Sequence, residues 1–125
     1  MRNKLMALVI GGLLMLGQSV SANQTMTTQE LQNKLNAKGN FVLLDVRTQE
    51  EYNAGYIAGA ILLPYDEIKA KATIVLPDKE KEIVLYCRSG RRSAIAKKSL
   101  LDLGYQKVVD FGGVKRWEGE LVRNK

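Results

Sequence analysis

The sequence predicts an α/β domain, with a central, mostly parallel sheet and helices on both faces. Three observations predict it. Short continuous apolar runs, Phe41-Val42-Leu43-Leu44 and Ile83-Val84-Leu85-Tyr86 among them, read as strands buried on both faces. Segments with helical start and stop signals alternate with such runs from residue 28 onward. Cys87 and Asp45 then fall at the carboxyl ends of two strands, where sheets of this kind bind ligands.

Residues 1–22 read as a secretory signal. Arg2 and Lys4 give the positive start, Leu5 to Leu16 is uncharged, and Val20-Ser21-Ala22 supplies small residues for cleavage. The run is shorter than the ~20 residues that span a bilayer, and no cysteine follows it to carry a lipid. The expected product is cut after Ala22, periplasmic and free of the membrane. Residues 23–26 form a short polar lead and 27–125 a single domain.

Thr27-Thr28-Gln29-Glu30 has the spacing of a capping box and opens a helix over 28–38, with Gly39 as its stop. The Phe41 run is the first strand and ends at Asp45-Val46-Arg47. Thr48-Gln49-Glu50-Glu51 is a second capping box, and its short helix stops at Gly55. Ala60 to Leu63 is a short strand closed by Pro64, Asp66 to Ala72 a helix, and Pro77-Asp78 a turn. Glu82 to Tyr86 leads into Cys87. Ser93 to Leu103 is amphipathic, with Ile95, Leu100 and Leu103 expected toward the sheet and Gly104 as stop. Lys107 to Asp110 is the last strand, Gly112-Gly113 a turn, and Val114 to Val122 a final helix containing Trp117.

Composition removes several functions. The 125 residues hold 19 Lys+Arg against 13 Asp+Glu, a net charge of +6. The lysines are scattered and no aromatics interleave with them, so no nucleic-acid partner is expected. There is no histidine, which excludes Cys-His and Ser-His catalysis and histidine metal sites. A single cysteine excludes thiolate metal clusters and internal disulfides.

That cysteine opens the stretch Cys87-Arg88-Ser89-Gly90-Arg91-Arg92, between a strand and a helix. A Gly-containing loop at a helix start gathers backbone N–H groups around an anion. Lowering a thiol from ~8.5 to ~6 raises its thiolate fraction about thirtyfold at neutral pH. Nucleophilicity falls in parallel, with a slope of about 0.4–0.5, so the net gain is only about two- to threefold. Binding an anionic substrate against an anionic sulfur is the better purpose. A thiolate and a dianion ~4 Å apart repel by about 2 kcal/mol in water and about 8 at an effective dielectric of 20. Arg88, Arg91, Arg92 and the N–H groups of Ser89 and Gly90 offset that repulsion. Gly90 is expected to adopt a left-handed conformation that turns N–H groups inward.

With these residues in place, the chain resembles the rhodanese domain over residues 27–125. Leu44-Asp45-Val46-Arg47, Glu51-Tyr52, Gly55-Tyr56-Ile57-Ala58-Gly59-Ala60 and Pro64 are similar to its first signature. Cys87 to Arg92 is similar to its six-residue active loop, and Gly112-Gly113 with Trp117 to its closing signature. Tyr56 stands where the family usually has histidine, at a position taken as structural. With the leader, the chain looks most like the small periplasmic rhodaneses of the phage-shock type. The resemblance implies a rhodanese-like fold and a double displacement. Cys87 takes the outer sulfur of thiosulfate as a persulfide, and cyanide or a thiol then removes it. The partners so implied are a small anionic sulfur donor and a small-molecule or protein thiol acceptor. No metal or other cofactor is implied beyond the covalent cysteine persulfide.

Cys87 is the expected nucleophile, with Arg88, Ser89, Gly90, Arg91 and Arg92 as substrate-binding residues; Arg92 has a surface salt bridge as its alternative. Asp45 is expected to bond nearby backbone N–H groups, Arg47 to pair with Glu51, and Trp117 to lie in the core. Two rival functions stand beside this one. A cysteine phosphatase or arsenate reductase needs arginine at the seventh loop position, where this chain has Ser93. A non-catalytic persulfide carrier or redox-sensing module would use the same loop.

Overall fold

The computed structural model describes residues 26–123. The expected signal peptide, its cleavage position and most of the polar lead lie outside the described residues. Four strands form one sheet: β1 (Phe41–Asp45), β2 (Ile61–Leu62), β3 (Glu82–Cys87) and β4 (Val108–Gly113). Their order is β2-β1-β3-β4, and every pairing is parallel. The helices are α1 (Thr28–Asn36), α2 (Gln49–Ala54), α3 (Ile68–Val75) and α4 (Arg91–Asp102). Among the described residues, no helix is long and apolar enough to cross a membrane.

Both capping boxes form. Thr27 and Glu30 exchange side-chain to backbone bonds at the start of α1, and Thr48 and Glu51 do so at the start of α2. The sheet is central because its middle strands are apolar on both sides. Ile83, Leu85 and Cys87 of β3 face one buried cluster, which α3 and α4 cover with Ile68, Ala72, Ala96 and Leu100. Val84 and Tyr86 face the other, with Leu31 of α1, Ile57 and Phe111. Period-two alternation thus puts a core on each face. Truncating a residue such as Leu85, which is fully enclosed, costs about 2–5 kcal/mol.

Four expectations are corrected. The turn expected at Gly112-Gly113 belongs to β4, which runs on to Gly113. The final helix is only a 3-10 turn at Val114–Arg116. Beyond it the chain is extended, and Val122 forms an antiparallel bridge with Tyr56. Gly119 weakens a helix there, and the Trp117 ring lies where a Cβ on Gly119 would stand. The sheet-facing stripe of α4 is Ser93, Ala96 and Leu100, while Ile95 is 40% exposed. The helix begins two residues earlier than expected, and the close fit of its first turn to the sheet selects small residues. The expected Arg47–Glu51 pair does not form; each is taken by another partner.

Candidate active site

Cys87 is the last residue of β3. Its neighbour on β4 is set by a bulge. Leu85 pairs with Asp110 but Tyr86 with Gly112, so Phe111 is the extra residue and Gly113 falls opposite Cys87. A Cβ on Gly113 would lie 2.6 Å from the Arg88 carbonyl oxygen and 2.9 Å from Ser89 Cα. The loop after Cys87 therefore rests directly on β4, and only a residue without a side chain admits it.

Gly90 closes the turn in a left-handed conformation, φ 111° and ψ −20°. Its N–H donates to Cys87 Sγ at 3.0 Å. Its carbonyl accepts from Ala94 N–H at 3.2 Å and from the Ser93 hydroxyl at 3.0 Å. Gly90 is also the N-cap of α4 and has no side chain to cap it, so the first-turn N–H groups lack a side-chain acceptor. The sulfur thus accepts from the Gly90 N–H at the start, and so the positive end, of a twelve-residue helix.

The loop residues do not all converge on that sulfur. Cys87 itself is fully enclosed, packed at the upper end of the cluster under α3 and α4. Arg92 is partly buried, and its guanidinium donates to both Glu51 oxygens at 2.8 and 2.9 Å. Those bonds raise its pKa above the usual arginine value. Burial opposes the rise, while the charges of Glu51, Cys87 and Tyr65 add to it. Arg92 is therefore close enough to Cys87 for their charges to interact, yet it is anchored to a carboxylate. Arg88, Ser89 and Arg91 are exposed. Arg88 and Arg91 make no ion pair among the described residues.

Glu51 was legible as half of a capping box, but its second duty was not. One oxygen accepts from Thr48 N–H and Oγ1 and from Arg92, and the other from Arg92 alone. The Arg92 hydrogen bonds lead in lowering its pKa from 4.5 to about 2, against the opposing effect of burial. It ties the start of α2 to the end of the active loop.

Asp45 and Arg47 form a buried pair under this arrangement. Arg47 Nη2 donates to Asp45 Oδ2 at 2.6 Å and to the Gly55 carbonyl at 2.7 Å, and Nε donates to both carboxylate oxygens. Asp45 also accepts from Arg47 N–H, the backbone bond expected of it. Burial pulls the Arg47 pKa down, but Asp45 outweighs it and the net direction is up. The Tyr86 hydroxyl accepts from Ile57 N–H at 3.0 Å, and burial together with the Asp45 charge raises its pKa. Tyr56, at the position taken as structural, stacks its ring on Tyr52 with centroids 4.1 Å apart. Trp117 packs edge-on to Phe111, partly buried against the α1 face.

Comparison with known proteins bears on the family and the fold. The profile of the rhodanese-like domain matches residues 27–120. The chain is 39% identical over 72 residues to the thiosulfate sulfurtransferase PspE of Escherichia coli strain K12, a match covering 58% of this chain and 69% of that one. It is 40% identical over 91 residues to the adenylyltransferase and sulfurtransferase UBA4 of Meyerozyma guilliermondii, covering 66% of this chain but only 21% of that longer protein. Among solved structures it resembles a rhodanese with anions from E. coli, with a TM-score of 0.62 and 35% identity. That match covers 66% of this chain and 98% of the other.

Proposed function

The chain belongs to the rhodanese-like domain family and is a sulfurtransferase of that family; we propose that its donor is thiosulfate and that it works by double displacement through Cys87. The observation that carries this reading is the 3.0 Å contact between Gly90 N–H and Cys87 Sγ at the uncapped start of α4. In the first step the Cys87 thiolate attacks the outer sulfur of thiosulfate. A sulfur–sulfur bond forms on Cys87 as the one to the sulfonate breaks, and sulfite leaves with its two negative charges. The persulfide left behind is anionic, and backbone donors at the helix start stabilise it as they stabilise the departing sulfite. In the second step cyanide or a thiolate takes the outer sulfur and restores the Cys87 thiolate. No proton moves in either displacement, so a chain without histidine performs both.

Arg88 and Arg91 draw the dianion in, and Arg92, fixed by Glu51, adds a positive charge beside the sulfur. The loop has six residues, and its seventh position, Ser93, turns its hydroxyl onto the Gly90 carbonyl. No arginine is there to hold a phosphoryl or arsenyl group, which argues against the phosphatase reading. The charge and apolar pattern of residues 1–22 supports export, and we place the enzyme in the periplasm, among the phage-shock-type rhodaneses. The test is steady-state assay of thiocyanate from thiosulfate and cyanide beside a chromogenic aryl phosphate. Continued turnover of the first and none of the second is the expected result. One equivalent of thiocyanate followed by a stall identifies a carrier, and phosphate release overturns the assignment.

A further inference from the structure

Away from the sulfur loop, the sheet ends at β2, an outer strand of two residues that pairs only with β1. Together with α3 it leaves an apolar strip uncovered. Ile61 of β2 is 44% exposed, Ile74 of α3 is 79% exposed, and Val75 beside it is exposed as well. Lys71, Ile74 and Val75 stand three and four residues apart, so they share one stripe of the helix. Two recesses lie along the strip, of about 490 and 300 Å³, and Val75 lines both. The larger reaches the start of α3 at Asp66 and Glu67, and the smaller lies past its end at Leu76, Pro77 and Lys81. The eight residues of α3, about 12 Å of helix, separate these two ends.

The charges differ from end to end. Glu67 is tied to Lys71 at 2.6 Å, and the Asp78 carboxylate accepts from Glu80 N–H at 2.9 Å. That leaves Asp66 at one end and Lys81 at the other. Asp66 is exposed and Lys81 half-buried, and neither side chain makes an ion pair or hydrogen bond among the described residues. An exposed apolar strip with an acid at one end and a base at the other is the anatomy of an interface. It is also self-complementary. A second copy of the chain, turned through a two-fold axis beside Val75, reverses the ends and brings acid to base twice.

We propose that this chain self-associates as a two-fold dimer through β2 and α3, with Asp66 of each copy paired to the partner's Lys81. The Ile61, Ile74 and Val75 side chains of both copies are removed from water between them, and that burial drives association. The two charge pairs at the rim fix the antiparallel register, because parallel helices would set like charge against like. Cys87 lines neither recess, so the dimer leaves the sulfur loop uncovered.

The test is sedimentation of the full chain from micromolar to millimolar concentration, where a monomer–dimer equilibrium is expected. Asp66→Lys and Lys81→Glu each oppose like charges at both ends of the interface and should weaken the dimer about tenfold. Ile74→Glu, at an exposed position outside the core, should abolish it. The deciding sample is an equimolar mixture of Asp66→Lys and Lys81→Glu. In the mixed dimer both ends again carry opposite charges, so the mixture should associate about tenfold more tightly than either variant alone. The chain carrying both substitutions should likewise recover self-association. Misfolded variants would not rescue each other in this way. A chain monomeric at every concentration overturns the proposal. So does a mixture no tighter than its components, or a dimer that these substitutions leave intact and that another surface or residues 1–25 hold.

Discussion

Glu51 and Arg92 are 41 residues apart in sequence and meet through two parallel hydrogen bonds, at 2.8 and 2.9 Å. The first belongs to the start of α2 and the second to the end of the active loop. Their pairing fixes a guanidinium beside Cys87 whose position a free loop arginine would not hold.

Removing the Glu51 charge is expected to weaken both stability and donor binding. Its pKa is lowered to about 2 in the folded protein, chiefly by the Arg92 hydrogen bonds. A carboxylate so lowered contributes stability that is complete above the unfolded value of 4.5 and lost as pH falls through about 2. Glu51→Gln should therefore cost about 1–2 kcal/mol at pH 7 in urea unfolding, with the difference from wild type shrinking between pH 4.5 and 2. An equal difference at both ends of that range counts against the charged pair. The thiosulfate KM should rise as Arg92 loses its anchor.

Two glycines of the loop region should fail for different reasons. Gly90→Ala meets no atom within 4 Å but must hold φ 111°, which costs about 1–2 kcal/mol. Gly113→Ala has ordinary backbone angles but drives its Cβ against the Arg88 carbonyl and Ser89. Overpacking against backbone costs about 1–3 kcal/mol and displaces the loop. Turnover should drop in both, and a crystal structure of Gly113→Ala should show the loop lifted from β4. A loop unmoved in that variant contradicts the close-approach argument.

Asp45→Asn should be the most destabilising single change near the site without touching substrate. It leaves the enclosed Arg47 guanidinium without its counter-charge, a loss of about 3–5 kcal/mol. Thermal unfolding measures it. Where enough folded protein survives, sulfur transfer per folded molecule should stay close to wild type, because the pair supports the turn at Gly55 and not the reaction.

Much of this was legible beforehand, for local physical reasons. The capping boxes at Thr27 and Thr48 are contained in four residues each, and the apolar strands announce a doubly covered sheet. Gly90 could be read as left-handed from the loop alone. What escaped the sequence depends on tertiary contact. Gly112 and Gly113 look like a turn and are instead strand, because the loop presses on β4 from another part of the chain. Arg47 has Glu51 at helical spacing, but Asp45 is nearer once both are buried.

Salt should weaken donor capture. Arg88 and Arg91 are exposed and unpaired among the described residues, so their attraction for a dianion is screened beyond ~10 Å at about 0.1 M ionic strength. The apparent KM for thiosulfate should rise several-fold between low salt and about 0.5 M sodium chloride, with little change in the maximal rate. A flat response contradicts the guiding role of the two arginines.

The persulfide on Cys87 is the most direct object of measurement. Intact-mass spectrometry of the protein treated with thiosulfate should show the gain of one sulfur atom, lost again on adding cyanide with release of thiocyanate. Cys87→Ser, which keeps the Gly90 N–H partner and the fold, should show neither change. A sulfur atom gained by Cys87→Ser, or a wild-type mass that thiosulfate leaves unaltered, contradicts the account.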